Sequence, residues 1–314
     1  MEANGKGASM WDREHFMTIY DLDNGEVKEV LDYAIETKAR FRAGKLGAPL
    51  EGKAMAMIFR KPSLRTRISF EMAMVGAGGH AFYVSDEEIQ LGRRESVADA
   101  ARAISRFVDV MMIRTFEQAE AEALAKFAAV PVINGLTDKY HPCQVMGDIM
   151  TVIEHKGGIE GLRVAFLGDG NNVANSWINA AAKLDFDLVL GMAKGYEPDK
   201  TVLSRAEKDG AKIEIVYDAY EAVRGAAVVY TDVWASMGQE EEARKRNEAM
   251  KRLQVNADVL GRAAPGAIVM HCLPAHRGLE ITDDVMDGPQ SLVFDQAENR
   301  MHIQRAIIMK LLLE

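Results

Sequence analysis

Hydroxyl and guanidinium side chains are concentrated in one short turn of the sequence, Ser63-Leu-Arg-Thr-Arg67. The turn follows an apolar run at 54–59 and precedes a segment with helical spacing, and Pro62 marks the point where a strand would end and a helix begin. A helix N-terminus offers unpaired backbone N–H groups and a partial positive charge. With these side chains added, the turn could bind a dianion such as phosphate, or it could be a capped helix with two solvated arginines.

Polar side chains also follow two other apolar runs in the first half of the chain. Arg114 ends the run 110–113, and a guanidinium at that point needs an anionic partner, which could be a ligand or a structural acid. His141 and Gln144 stand at the start of a long helical segment. They could contact a carbonyl oxygen and an amide-like group, or His141 could be an ordinary loop or cap residue.

The second half carries a glycine turn and an acid, each directly after a predicted strand. In Gly168-Asp-Gly170-Asn-Asn172, the third glycine of a dinucleotide fingerprint is replaced by Val173, so this pattern favours a nicotinamide cofactor only weakly. Asn171 and Asn172 could instead bind a carboxylate or stabilise the turn. Asp232, with Ser236 nearby, could pair with a substrate ammonium or cap a helix.

A cysteine flanked by histidines follows the predicted strand 267–270. Cys272 could be a nucleophile, a proton acceptor or a polar contact. A metal site from His271, Cys272 and His276 is conceivable, but the spacing matches no standard zinc pattern.

Short apolar runs alternate with helical segments along the chain, which predicts an α/β fold of two doubly wound parallel-sheet domains joined by interdomain helices. We expect a first domain over 1–150, onto which a C-terminal helix at 298–314 packs back, and a second over 151–297. The predicted strands are 54–59, 81–84, 110–113, 130–134, 163–167, 188–191, 213–216, 227–231, 267–270 and 292–294. Ligands of such sheets bind at the carboxyl ends of the strands, so the polar turns are expected to line one cleft.

Composition limits the kind of partner. Against 38 Lys and Arg stand 47 Asp and Glu, a net charge of −9, so we expect neither nucleic acid nor an anionic membrane surface as a partner. No apolar run reaches membrane-spanning length, and no signal sequence is evident. Cys143 and Cys272 suggest no disulfide framework, so we expect a cytoplasmic protein.

Taken in order, these residues resemble the aspartate/ornithine carbamoyltransferase family over nearly the whole chain. The family-wide marks are Ser63-Leu-Arg-Thr-Arg67, Arg114 and His141-Pro-Cys-Gln144. Asp232-Val-Trp-Ala-Ser-Met-Gly238 and His271-Cys-Leu-Pro274 indicate the ornithine branch of the family. Leu64 departs from many members of that branch, which have Thr there. The missing hydroxyl would remove one phosphate contact unless the backbone N–H makes it.

The resemblance implies transfer of a carbamoyl group from carbamoyl phosphate to the δ-amine of L-ornithine, giving L-citrulline and phosphate, with no metal or organic cofactor. It implies Arg114, His141 and Cys272 as catalytic residues, although either Cys272 or the departing phosphate could accept the amine proton. The implied contacts to carbamoyl phosphate are Ser63, Leu64, Arg65, Thr66, Gln90, Arg114, His141, Gln144, Cys272, Leu273 and Arg300. The implied contacts to ornithine are Asn172, Asp232, Ser236 and Met237. It further implies a homotrimer, or a multiple of trimers, in which the Gln90 segment reaches the site of a neighbouring subunit.

Three other functions stay open at this point. A carbamoyltransferase for putrescine, lysine or an acylated ornithine is one, and Asp232 with Ser236 argues against putrescine and the acylated substrate. A catalytically silent relative that acts as a regulatory subunit is the second, and the intact phosphate-binding turn argues against it. A nucleotide-dependent oxidoreductase is the third, and the missing glycine at Val173 argues against it.

Overall fold

The computed structural model describes residues 14–235 and 240–313. These residues form two compact units: unit 1 comprises 14–17, 21–137 and 301–313, and unit 2 comprises 18–20 and 138–300. Within the described ranges, no helix combines the length and the apolar character needed to cross a membrane.

Unit 1 is built on a four-stranded parallel sheet with the strand order β2-β1-β3-β4. Its strands are β1 (Ala54–Phe59), β2 (His80–Ser85), β3 (Val110–Arg114) and β4 (Val132–Leu136). Its helices are α1 (Asn24–Arg42), α2 (Leu64–Val75), α3 (Asp86–Ile89), α4 (Val97–Ile104) and α5 (Gln118–Phe127). The inner strands β1 and β3 are almost continuously buried, as expected for a parallel sheet covered on both faces, whereas the edge strand β2 is partly exposed.

Unit 2 is built on a five-stranded parallel sheet with the strand order β7-β6-β5-β8-β9. Its strands are β5 (Arg163–Gly168), β6 (Asp187–Met192), β7 (Lys212–Val216), β8 (Val228–Thr231) and β9 (Ile268–His271). Its helices are α6 (Pro142–Lys156), α7 (Asn172–Ala181), α8 (Lys200–Lys208), α9 (Ala219–Val223), α10 (Glu240–Met250), α11 (Ala257–Leu260) and α12 (Asp283–Met286). The last helix, α13 (Val293–Leu313), has its first residues in unit 2 and its remainder in unit 1, and two short 3-10 helices cover Ile19–Asp21 and Lys251–Leu253.

The predicted fold class of two parallel α/β sheets is confirmed, and nine of the ten predicted strands are present with shifts of at most two residues at their ends. The predicted strand 292–294 is wrong, because α13 begins at Val293. The apolar run lies at the start of a helix, where Val293 is buried and Phe294 is 68% exposed. Just before the run, Ser291 makes an isolated bridge to Val269 of β9. Helix α1 has Asp23 as its N-cap, and Asp23 and Glu26 form a reciprocal capping box.

Within unit 1, the end of α13 holds the C-terminal end of α2. The Arg305 side chain is fully buried, its guanidinium lies 4.0 Å from the Phe41 ring centroid, and its Nε donates to the Ala73 carbonyl at 3.4 Å. Carbonyls in the last turn of a helix have no partner within the helix, so this contact satisfies one of them. Gly76 leaves room for it, because a Cβ there would lie 2.8 Å from the Arg305 guanidinium.

Candidate active site

The basic turn of unit 1 is the N-terminus of α2, and it meets the end of a neighbouring strand. Ser63 is the N-cap, and its Oγ accepts from the Thr66 backbone N–H at 3.3 Å and donates to Thr66 Oγ1 at 3.0 Å. Strands β1 and β3 pair in register, so Arg114 at the end of β3 lies beside the turn and donates to Thr66 Oγ1 at 3.3 Å. A guanidinium, two hydroxyls and the positive end of a helix dipole thus converge on one point, which is suited to an anion.

Two residues of unit 1 that the resemblance implies as substrate contacts do not place their side chains in this cluster. The Leu64 side chain is 70% exposed on the first turn of α2, so only its backbone N–H is available to an anion at the helix end. Gln90 is exposed, and its Nε2 donates to the Glu87 carbonyl at 3.2 Å. It caps α3 in a left-handed conformation with φ 42°, which is uncommon for a residue other than glycine and is often held at functional positions. Arg65 is partly buried in the first turn of α2.

In unit 2, the ends of β8 and β9 bring a buried carboxylate against a thiol. Asp232 Oδ1 accepts from Cys272 Sγ at 2.9 Å and from the Val233 N–H at 2.8 Å, and Oδ2 accepts from Asn171 Nδ2 at 2.7 Å. Burial of the thiol, and then the Asp232 charge, raise the pKa of Cys272 well above its ordinary value of 9.0. The thiol is therefore protonated at neutral pH and acts as a hydrogen-bond donor, which makes a nucleophilic thiolate unsuited to this position.

The two asparagines after β5 have different positions. Asn171 is the N-cap of α7, where its Oδ1 accepts from the Val173 and Ala174 N–H groups at 2.9 and 3.1 Å. Asn172 is the first residue of that helix. Its carbonyl accepts from Ser176 Oγ, which in turn accepts from the His141 N–H at 2.8 Å, so the starts of α6 and α7 are tied together.

The glycine turn after β5 has a packing role. A Cβ on Gly170 would lie 2.3 Å from the Pro198 nitrogen, so the close approach of two backbone segments requires a glycine there. The neighbouring Asp169 makes an ion pair with Arg246 of α10 at 2.7 Å, and burial raises the pKa of Asp169 to about 6. The second glycine of the incomplete dinucleotide pattern is thereby explained without a cofactor.

The histidine at the end of β9 supports the backbone after it. His271 is fully buried, its Nε2 is bonded to Glu280 Oε1 at 3.1 Å, and its Nδ1 accepts from the Leu273 N–H at 2.9 Å. Leu273 is held in the left-handed region with φ 60°. Potential ligand atoms of Asp232, His271 and Cys272 lie within 4.8 Å of one another, but both ring nitrogens of His271 are already used, so the trio is poorly suited to a metal.

A buried amide and carboxylate network in unit 2 was not predicted from the sequence. Asp148 Oδ1 accepts from Gln144 Nε2 and from Gln296 Nε2, both at 2.8 Å, and Gln296 Oε1 accepts from the His271 N–H at 2.9 Å. Burial raises the pKa of Asp148 to about 7, against the opposing effects of the hydrogen bonds from Gln144, Gln296 and Tyr230 and of the buried Arg300. The position of Asp148 four residues after Gln144 on one helix was the signal available in the sequence. Gln296 lies on α13 just after the wrongly predicted strand 292–294, in a part of that helix that was not predicted.

The remaining implied ornithine contacts, Ser236 and Met237, lie outside the described residues.

Comparison with known proteins gives full-length matches. Two family models cover the chain: "Aspartate/ornithine carbamoyltransferase, carbamoyl-P binding domain" over residues 14–154, and "Aspartate/ornithine carbamoyltransferase, Asp/Orn binding domain" over residues 160–311. The ornithine carbamoyltransferase of Syntrophus aciditrophicus is 51% identical over 297 residues, which are 94% of this chain and 98% of that protein. The chloroplastic ornithine carbamoyltransferase of Pisum sativum is 51% identical over 95% of this chain and 80% of its own. The solved structure of ornithine carbamoyltransferase from Pyrococcus furiosus has 47% identity and a TM-score of 0.93, covering 98% of this chain and 99% of that one.

Proposed function

The chain belongs to the aspartate/ornithine carbamoyltransferase family, and from this premise we propose that it transfers the carbamoyl group of carbamoyl phosphate to the δ-amine of L-ornithine. The products are L-citrulline and phosphate. The observation that carries the choice of acceptor is the buried Asp232 carboxylate, fixed by Asn171 and Cys272 in the region matched by the Asp/Orn binding model. Such a carboxylate pairs with an α-ammonium group. Putrescine lacks this group, and an acylated ornithine has a neutral amide in its place.

Unit 1 is assigned the phosphate group of the donor. Ser63, Arg65, Thr66 and Arg114 bind its oxygens together with the backbone N–H of Leu64. This assignment is supported by the Ser63–Thr66–Arg114 hydrogen bonds at the N-terminus of α2. Charged donors at a helix end bind dianions strongly because backbone N–H groups and the helix dipole act in the same direction.

Unit 2 is assigned the carbamoyl nitrogen and the amino acid. Gln144 and the backbone at Cys272 and Leu273 hold the carbamoyl nitrogen, and Arg300 contacts the same substrate. Asp232, with Ser236 and Met237, binds the α-ammonium end of ornithine, and Asn172 binds its α-carboxylate.

The reaction is an attack of the neutral δ-amine on the carbamoyl carbon. His141, Thr66 and Arg114 stabilise the charge that builds on the carbonyl oxygen. A free alkylamine has a pKa of about 10.4, and desolvation near cationic arginines lowers it. As the new C–N bond forms, the bond from the carbonyl carbon to the phosphate oxygen breaks. The amine proton leaves with the phosphate, because the Cys272 thiol is already protonated.

A homotrimer with the Gln90 segment shared between subunits is part of the proposal. It is supported by an exposed apolar stripe on α2, formed at helical spacing by Leu64, Ile68, Met72 and Val75, which are between 42% and 70% exposed. Phe82 on the edge strand β2 is also exposed. A second copy of this chain is the partner that would cover both. A cytoplasmic location is the last part of the proposal. It agrees with the free thiols of Cys143 and Cys272, which both lie in the part of the chain that the structure describes.

The reaction is tested with a panel of acceptors. Purified protein with carbamoyl phosphate should form citrulline from ornithine at least tenfold faster than products from lysine, putrescine or acetylornithine. Asp232→Ala should raise the KM for ornithine while the affinity for carbamoyl phosphate changes little, and Thr66→Val should do the reverse. Absence of citrulline would refute the function, and loss of both affinities in Asp232→Ala would refute the assignment of that residue.

Assembly is tested by sedimentation. The double variant Leu64→Glu with Ile68→Glu should sediment as a smaller species and lose activity, because two carboxylates cannot be buried between subunits. Phe294→Glu is the matched control, since Phe294 is equally exposed but lies in unit 2. A fully active wild-type monomer would refute the shared site.

A further inference from the structure

A buried hydrogen-bond network fixes the orientation of the Gln144 amide, and the Tyr230 hydroxyl is part of it, accepting from Gln296 Nε2 at 3.2 Å. The network begins at the backbone N–H of His271, which can only donate, so the Gln296 oxygen must face it at 2.9 Å. The Gln296 NH2 group then faces Asp148 Oδ1 at 2.8 Å, and that oxygen must accept. Gln144 contacts the same oxygen at 2.8 Å, so Gln144 must present its NH2 group there.

The consequence is that the other atom of the Gln144 amide is an acceptor. Gln144 Oε1 is buried and has no hydrogen-bond partner in the described part of the chain. An unpartnered carbonyl in a buried place is suited to a ligand that brings N–H groups, because burying it unpaired is unfavourable. The side chains of this network are at most 1% exposed, so water does not replace its hydrogen bonds; they are Gln144, Asp148 and Gln296.

Resting on the proposed function, we infer that Asp148 is a positioning residue that sets the choice of a carbamoyl over an acyl donor. It holds the Gln144 amide with its oxygen toward the carbamoyl NH2 group. Acetyl phosphate has the same phosphate and carbonyl but a methyl group in place of this NH2. With the amide reversed, the Gln144 NH2 group would face the carbamoyl NH2 group, and the preference for the carbamoyl donor would be lost.

Two near-isosteric variants separate the orientation from the fold. In Asp148→Asn, the Gln296 NH2 group keeps an oxygen at the Oδ1 position, so Gln144 keeps its orientation. In Asp148→Asn combined with Gln296→Glu, the donor and acceptor directions of these hydrogen bonds are reversed. The carboxylate at position 296 can only accept, so the asparagine at position 148 presents its NH2 group. Gln144 then turns its oxygen toward that NH2 group. The double variant keeps the same number of carboxyl groups in the network as the wild type, which limits electrostatic effects on phosphate binding.

The measurement is the inhibition constant of acetyl phosphate divided by the KM of carbamoyl phosphate, in steady-state citrulline assays. One hydrogen bond to a neutral group corresponds to roughly a 2- to 12-fold effect, so the double variant should lower the ratio by about tenfold. Asp148→Asn should stay within about threefold of the wild type. Gln144→Ala gives the ratio expected without any amide.

The outcomes discriminate clearly. An unchanged ratio in the double variant, with its melting temperature near that of the wild type, would overturn the inference, as would a ratio in Asp148→Asn as low as in Gln144→Ala. A role in folding alone would lower the stability of the variants and leave the ratio unchanged. If the wild type makes no citrulline, the proposed function fails instead. If it makes citrulline but does not prefer carbamoyl phosphate, only the inference fails.

Discussion

Replacing Asp148 with asparagine is expected to alter the pH dependence of folding. Burial raises the pKa of this carboxyl from 3.8 to about 7 in the folded chain. Between these values the folded state keeps a proton that the unfolded state has released, so stability falls as the pH rises through this window. Each pKa unit corresponds to about 1.36 kcal/mol, and the part of the window between pH 5 and pH 8 amounts to roughly 3 kcal/mol.

The assay is urea unfolding of the wild type and of Asp148→Asn at pH 5 and pH 8. The difference in unfolding free energy between the two proteins should shift by roughly 3 kcal/mol in favour of the variant at pH 8. Asp284→Asn is the control, because Asp284 is exposed and its replacement should give no such shift. A constant difference between wild type and Asp148→Asn at both pH values would refute the reasoning that the buried carboxyl holds its proton near neutrality.

Three further predictions concern other parts of the molecule. Ser63→Ala should lower the unfolding free energy by about 1 kcal/mol through loss of the α2 cap, and phosphate should stabilise it less than the wild type in thermal melts. Gly76→Ala should destabilise by about 1–3 kcal/mol in urea, since its Cβ would lie 2.8 Å from the Arg305 guanidinium, and a gain in stability would contradict this. Iodoacetamide at pH 8 should modify Cys272 more slowly than free cysteine. Asp232→Asn should speed the modification, because it removes a charge that raises the thiol pKa.

The parts of the fold that depend on local sequence were predictable. The turn at Ser63 combines a strand, a proline and a cap within a few residues, and the structure has a helix N-terminus there. The box formed by Asp23 and Glu26 was equally local and shows that the three-residue spacing identifies the cap better than the residue type alone. The apolar run 292–294 misled because strand propensity is decided by neighbouring strands, which a sequence does not display.

Features that depend on distant residues were not predictable. Asp148 and Gln296 are separated by 148 positions, and nothing in either neighbourhood indicates that they meet. Leu64 differs from the residue type that the family resemblance leads one to expect in the turn at Ser63–Arg67. In the structure, the Leu64 side chain is part of the exposed apolar stripe of α2.

Helix α2 therefore carries two surfaces on one rigid body about 18 Å long. Its N-terminus carries the turn that we propose binds phosphate, its flank carries the apolar stripe, and its far end is held by Arg305. In the proposed assembly, a second subunit that covers the stripe would contact the same helix whose N-terminus is proposed to bind the donor substrate. If assembly and donor binding both stabilise this helix, the coupling between them is reciprocal: dilution of the protein should weaken the affinity for carbamoyl phosphate, and saturating carbamoyl phosphate should keep the proposed subunits together at lower protein concentration.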